Sequence, residues 1–385
     1  MGVPEALRHR LWGYDTPSRG NIPERRSGVT DRATPRPRPR RPVSGRIPGR
    51  RRGVGSLTRR VVTLTDSVGL EPLAADMARV EARLHGAVQS PDAFLTEVAD
   101  HLAQAGGKRL RPMLSLCTAY LLRDPTPVSD HVITGAVSIE LVHIGSLYHD
   151  DVIDEAQTRR GVESVNARWS NIHAILVGDF LLARASSLAA SLGAEVAGLL
   201  AHTIGELCRG QVLELQHVYD PQRSIEVYLS AIEGKTAALL ASACRVAGLV
   251  EHASPEMLDA VTSFGHHLGM CFQIVDDVLD VTRSSEELGK PAGNDMLEGI
   301  YTLPVLYAMQ SNEELRTLLQ PEMDADQLAR ARELVAANGA IDAAVVAARD
   351  HARAATAVLR DTPGFDPTVV ASLTQLVDDL IVRTN

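Results

Sequence analysis

The chain has 385 residues, 45% of them hydrophobic and only 4% aromatic, with a net charge of −9. That length allows one large domain or two ordinary ones, with apolar residues enough for a sizeable core. Few aromatics beside abundant Ala and Leu argue against a β-sandwich and for packed helices.

The charge is unevenly spread. Residues 1–60 hold 16 Arg and no Lys against four acids, a charge of +12, while the remainder holds 23 bases against 44 acids, −21. Thr34 to Arg52 reads TPRPRPRRPVSGRIPGRRR, where Pro and Gly oppose regular structure and the arginines repel one another. Residues 1–55 are therefore expected to be a disordered extension, and 56–385 a single all-helical domain. A basic tail suits a nucleic acid or an anionic membrane surface. A solvated tail, or a start codon assigned too far upstream, is the preferred explanation. Nothing else in the chain suggests nucleic-acid recognition, so no such partner is expected.

From about Asp66 the texture turns helical. Leu73, Met77, Val80 and Leu84 recur at helical spacing. Punctuation follows at Gly106-Gly107, Asp124-Pro125-Thr126-Pro127, Asp220-Pro221, Ser254-Pro255 and Lys290-Pro291-Ala292-Gly293. Ala336 to Leu359 reads as an amphipathic scaffold segment, and Pro363-Gly364 as the opening of a short final helix. No strand alternation stands out, and the expected fold is all-α with ten or more helices. Cys117, Cys208, Cys244 and Cys271 are far apart and form no C-x-x-C, which fits a reducing, cytoplasmic setting. No uncharged apolar run is as long as a membrane span, and the N-terminus lacks the apolar segment of a signal peptide.

Two acidic motifs dominate the chemistry. Asp150-Asp151-Val152-Ile153-Asp154 and Asp276-Asp277-Val278-Leu279-Asp280 are both Asp-Asp-x-x-Asp in apolar, helix-compatible surroundings. On a helix, Asp150 shares a face with Asp154, and Asp276 with Asp280. Stacked carboxylates among Ile, Val and Leu need a compensating cation. Hard oxygen ligands suit Mg²⁺, usually shared with substrate phosphates.

Cations flank both motifs. Gly106-Gly107-Lys108-Arg109-Leu110-Arg111 sets three of them at a helix start, where backbone N–H groups also favour an anion. His143 lies seven residues before Asp150, about two turns along the same face. The role of His149 stays open. Arg159-Arg160 follows the first motif and either binds phosphate or pairs with Glu155 or Glu163. Lys235-Thr236 leads into an apolar run, at a cavity wall or snorkelling to solvent. Gln273 lies one turn before Asp276. Lys290 sits in a Gly-rich segment able to fold over an anion.

Taken together, GGKRLRP, LVHIGSLYHDDVIDEAQTRRG, GDFLLARA, EGKTAAL, FQIVDDVLD and GKPAGND with YTLP resemble the trans-prenyl diphosphate synthases, the polyprenyl synthetase family. They come in the family's order and cover roughly Gly106 to Pro304. The resemblance implies a helical bundle around a deep central cavity, usually a homodimer. It implies that Asp150, Asp154, Asp276 and Asp280 hold Mg²⁺, with Asp151 and Asp277 in support. Arg159, Lys235 and Lys290 would touch the allylic diphosphate. Lys108, Arg111, His143 and Arg160 would bind isopentenyl diphosphate. Thr236 and Gln273 would line the space where a carbocation forms. One departure stands out: Ile300 occupies a position where some relatives carry Lys.

The resemblance also bears on product length. The product would grow down the cavity from the first motif, where short-chain members place an aromatic floor. Gly145 and Ser146 stand there, which predicts a long, all-trans product of the menaquinone side-chain type, released with room for a peripheral membrane contact. A geranylgeranyl diphosphate synthase, with its floor deeper near His173, Leu176 or Phe180, is the alternative. A terpene cyclase would have no reason to keep the GGKRLRP segment, and a non-catalytic partner subunit would lose motif aspartates; all six are present.

Overall fold

The computed structural model describes residues 68–123, 125–284, 292–337 and 339–384. The expected extension over 1–55 lies outside them, and so does Lys290. In chain order the described elements are α1 (Leu73–Ala87), α2 (Ala93–Gln104), α3 (Leu110–Leu122), α4 (Asp130–Ile153), a hairpin of β1 (Thr158–Arg159) and β2 (Val162–Glu163), and α5 (Val165–Arg168). Then come α6 (Asn171–Ser191), α7 (Ala194–Leu215), α8 (Ile225–Ile232), a π-helical turn (Glu233–Ala237), α9 (Ala238–Val250) and α10 (Pro255–Thr282). The chain closes with α11 (Asn294–Leu297), α12 (Leu303–Met309), α13 (Glu313–Leu318), α14 (Ala325–Ala337), α15 (Ala340–Asp361) and α16 (Pro367–Val382).

Local chemistry sets the helix starts. Ser129 caps α4 by accepting from Val132 N at 3.3 Å, and Ser254 caps α10 the same way from Met257 N, with Pro255 in the first turn. Asp366 caps α16 by accepting from Thr368 N and Val369 N. The last helix thus begins at Pro367 and runs 16 residues, so it neither opens at Pro363-Gly364 nor is short. The amphipathic Ala-rich segment is also divided, because Gly339 turns left-handed (φ 71°) between α14 and α15. The short hairpin is a further departure from an expectation without strands.

At the centre stands α9, buried along most of its length and packed on α3, α4, α7 and α10. Gly265 and Gly269, one turn apart on α10, allow this. A Cβ at Gly265 would stand 2.7 Å from Leu240 O, and one at Gly269 2.6 Å from the Ala237 Cα. The second Asp motif therefore sits on a helix held almost backbone to backbone against the core. The first motif ends α4, which is buried on nearly all sides against α6, α3, α9 and α1.

A histidine pair joins α10 to α15: His267 Nδ1 lies 3.0 Å from His351 Nδ1. Only one proton fits between two such nitrogens, so at least one ring stays neutral. Burial first, then the neighbouring His266, holds both below the ordinary histidine range. A histidine pKa depressed by folding means that the unfolded chain binds more protons, so stability is lost as pH falls below about 6.5. Urea unfolding followed from pH 7 down to pH 4.5 should show that loss. His351→Phe should flatten it, by up to about 1.4 kcal/mol per pH unit; an unchanged slope would show that the pair does not titrate on unfolding.

Candidate active site

The first motif occupies the C-terminal turn of α4, where Asp154 N still donates to Asp150 O at 2.8 Å. Asp151 points inward and is fully buried, Asp150 is half-buried, and Asp154 is exposed. The hairpin that follows turns through Arg160 (φ 54°) and Gly161 (φ 77°), the left-handed pair that a two-residue hairpin needs. The turn sends the two arginines to different partners. Arg159 Nε donates to Asp151 Oδ1 at 2.6 Å, not to Glu155 or Glu163. Arg160 Nη1 donates to Leu102 O at 3.0 Å and Gly106 O at 2.5 Å, strapping the hairpin to the loop before α3.

Lys235 sits in the π-helical turn, a one-turn widening that often marks a functional site. Its ammonium does not snorkel to solvent: Nζ donates to Glu214 Oε1 of α7 at 2.5 Å. Burial works against its charge, but Glu214, and then Asp150 and Asp154, outweigh that and raise it above the ordinary lysine value. Next to it, Thr236 Oγ1 donates to Gln273 Oε1 at 2.7 Å, and Gln273 Nε2 donates to Asp277 Oδ1 at 2.8 Å. Asp277 also accepts from Tyr228 OH at 2.5 Å. Burial first, then the proximity of Asp295, pushes its carboxyl well above the usual range. Asp276 is half-buried, and Asp280 is buried with Asp295 N 3.4 Å from its Oδ2.

Both motifs reach one cleft of about 330 Å³, whose wall includes Asp154, Arg159, Lys235, Gln273, Asp277 and Arg223. Glu214, Tyr228 and Arg223 carry no motif signal in the sequence. Their partners lie far along the chain and meet them only where helices cross.

The GGKRLRP cations are divided among different tasks. Arg109 is buried and structural: it pairs with Glu81 at 2.6 Å and Glu140 at 3.0 Å, and donates to Ala103 O. Arg111 is left with a buried Nε that has no hydrogen-bond partner, and burial brings its pKa down to about 10. His143 stands near it, held neutral by burial first and then by Arg111 and Arg160. Lys108 is exposed and borders a different recess, beside Phe272 and Arg383. His149 packs on Gly178 and lies 3.2 Å from Ile175 O and 3.4 Å from Asp179, a contact between α4 and α6.

Of the two floor positions, Gly145 is closed: a Cβ there would stand 3.2 Å from Gly178 O and 3.3 Å from the Leu182 side chain. Its missing side chain serves the packing of α4 on α6. Ser146 is half-buried and its hydroxyl donates to His143 O at 2.9 Å. The alternative floor fares differently at Leu176, which is 60% exposed on the outer side of α6.

Among the described residues, no three His, Cys, Asp or Glu side chains are gathered to hold an ion by themselves. The site offers paired carboxylates instead. Asp151 Oδ2 is buried without a hydrogen-bond partner, and burial raises Asp150 to about 6 despite Lys235. These donors fit a hard divalent cation that takes one or two carboxylates from protein and the rest from phosphate and water.

The polyprenyl synthetase family model matches residues 92–337. The chain is 42% identical over 274 residues to heptaprenyl diphosphate synthase component 2 of Geobacillus stearothermophilus, covering 70% of this chain and 84% of that one. It is 39% identical over 332 residues to nonaprenyl diphosphate synthase of Mycobacterium tuberculosis, covering 84% and 96%. Among solved structures, a polyprenyl synthase from Caulobacter crescentus complexed with calcium and isoprenyl diphosphate superimposes with TM-score 0.77 at 34% identity, over 83% of this chain and 98% of that one.

Proposed function

The chain belongs to the polyprenyl synthetase family, and we propose from that premise that it condenses isopentenyl diphosphate with an allylic diphosphate into a long, all-trans polyprenyl diphosphate. The observation that carries this reading is the shared cleft, in which two Asp-Asp-x-x-Asp motifs from separate helices face Lys235 and Arg159. Relatives named for heptaprenyl and nonaprenyl products support the long chain.

Asp150, Asp154, Asp276 and Asp280 would hold Mg²⁺, which when bound supplies positive charge to offset the charge gathering on the leaving diphosphate. Lys235 and Arg159 add fixed donors to the same phosphates, so the C–O bond can ionise. Glu214 and Asp151 aim those two side chains. Lys290 joins them by family resemblance. Asp277, gripped by Tyr228 and Gln273, fixes the wall where Thr236 and Gln273 face the carbocation. Arg111, His143 and Arg160 bind isopentenyl diphosphate, and the bare Nε of Arg111 near a neutral imidazole supports that assignment. Lys108, which borders a different recess, joins them by family resemblance alone. The homoallylic double bond then attacks, and a proton leaves to the released diphosphate, so no protein base is needed. A terpene cyclase would have no use for this second anion niche.

A homodimer is part of the proposal. Helix α6 is long and apolar enough to cross a membrane, yet only 33% of its apolar window is buried, and Ile172, Ile175 and Leu176 stand 69%, 44% and 60% exposed. A second copy covering this face is preferred over membrane insertion, with the enzyme cytoplasmic. The product would supply a quinone side chain of the menaquinone type.

Transfer of label from isopentenyl diphosphate into apolar, solvent-extractable product, in the presence of Mg²⁺ and farnesyl diphosphate, tests the activity. It should vanish with EDTA; label transfer that persists in EDTA would contradict the metal role. Ser146→Phe should then shorten the product by at least one prenyl unit, read by sizing the dephosphorylated alcohols. Unchanged length would remove Ser146 from the path of the growing chain. Gly145→Phe is the poorer test, since it should destabilise the fold by about 1–3 kcal/mol through overpacking against α6.

A further inference from the structure

Arg223 lies in the turn after α7, outside every motif of the sequence. It is 5% exposed, yet its side chain forms part of the wall of the cleft. Nη1 donates to Tyr301 O at 3.3 Å, while Nε and Nη2 are buried without a hydrogen-bond partner. A buried guanidinium with two bare donors is costly unless something completes it. Burial lowers its pKa from the ordinary arginine value, and Glu214, Tyr228, Asp277 and Asp220 offset that only in part. The Tyr228 ring lies 5.6 Å from the guanidinium carbon but takes none of those donors.

The backbone is built to hold Arg223 there. Tyr219 adopts a left-handed conformation (φ 56°), donates N–H to Gly299 O at 2.9 Å, and donates its hydroxyl to Leu297 O at 2.8 Å. Gly299 (φ 75°) meets the Tyr219 ring so closely that a Cβ would come within 2.6 Å of it. The turn is thus stapled to the segment carrying Ile300, the position where the family resemblance implies a Lys in some relatives. Arg223 and Ile300 border the same cleft. The cation missing at position 300 on one segment of the wall is matched by a cation on the neighbouring one.

We propose that Arg223 is a diphosphate-binding residue of this site, its Nε and Nη2 donating to the allylic diphosphate in place of a cation at position 300. This rests on the function proposed above. Guanidinium donors match phosphate oxygens in a planar fork, so a lysine in place of Arg223 would be only a partial substitute.

The test compares the full chain with Arg223→Gln, Arg223→Lys and the double variant Arg223→Gln/Ile300→Lys. Steady-state kinetics, calorimetric titration with inorganic pyrophosphate and Mg²⁺, and thermal unfolding are measured on each. Arg223→Gln should raise KM for farnesyl diphosphate and weaken pyrophosphate binding about tenfold. KM for isopentenyl diphosphate should hold, and adding Ile300→Lys should recover most of the loss. If Arg223→Gln leaves pyrophosphate binding unchanged in an active enzyme, the proposal is overturned and the functional reading survives. A parallel rise in both KM values with a lowered Tm, not rescued by Ile300→Lys, also overturns it, leaving Arg223 a structural tie. An inactive wild type that binds no pyrophosphate overturns both.

Discussion

Asp150→Asn is expected to cut turnover by about 10²- to 10³-fold while leaving the metal-free protein more stable at neutral pH. The carboxyl stands half-buried at the end of α4, next to Asp154 and within reach of Lys235 and Glu214. Burial raises it to about 6, above its ordinary value. The sign follows from linkage. Folding favours the protonated form, so the stability this group contributes in acid is lost as pH rises from about 4 to 6 and stays lost above. Asparagine removes that penalty, which is on the order of 3 kcal/mol. It removes a proposed Mg²⁺ ligand at the same time. Thermal unfolding at pH 7.5 in EDTA should show a Tm raised by a few degrees, and Mg²⁺ with pyrophosphate should stabilise the wild type far more than the variant. A variant that is both less stable and fully active would contradict the assignment of this carboxylate.

The second large effect is expected at Gly234. This glycine and Gly210 meet where α7 crosses the π-helical turn. A Cβ at Gly234 would stand 2.6 Å from Glu206 O, and one at Gly210 2.5 Å from Lys235 N. In both cases backbone lies in the way, so no side-chain rotation relieves the overlap. Gly234→Ala must move the turn that carries Lys235 and Thr236, pulling Lys235 from Glu214 and Thr236 from Gln273. A displacement near 1 Å at a positioning group costs about 10²-fold in rate, and the overpacking about 1–3 kcal/mol in stability. Gly205→Ala supplies the control, because that glycine lies on α7, one turn and a residue before Gly210, and faces open space. It should gain about 0.5–1 kcal/mol in stability with activity intact. Equal behaviour of the two variants would show that the crossing does not set the site.

How much of this was legible in the chain follows from distance along it. The aspartate motifs, Lys235-Thr236 and Gln273 announce themselves because a helix turns local spacing into a shared face. The division of labour within GGKRLRP does not. Arg109 and Arg111 look alike in sequence, and Glu81 on α1 with the buried Glu140 on α4 makes one a strut while the other keeps a bare donor. Glu214 and Tyr228 were invisible because their partners, Lys235 and Asp277, lie 21 and 49 residues away. Gly145 looks like empty space in the sequence and is a packing contact in the fold, since a missing side chain looks the same in sequence whether it opens a tunnel or admits a neighbouring helix. The Ala-rich pattern across 336–359 hid the break at Gly339 because helical periodicity resumed after it.

The most direct measurement is the length of the product. Purified protein, Mg²⁺, labelled isopentenyl diphosphate and farnesyl diphosphate would be incubated to completion, and the dephosphorylated alcohols sized by chromatography. A ladder ending at heptaprenol or longer is the predicted result. A ladder that stops at geranylgeraniol would contradict the long-chain account, and no elongation at all would contradict the enzyme acting as a single-component synthase.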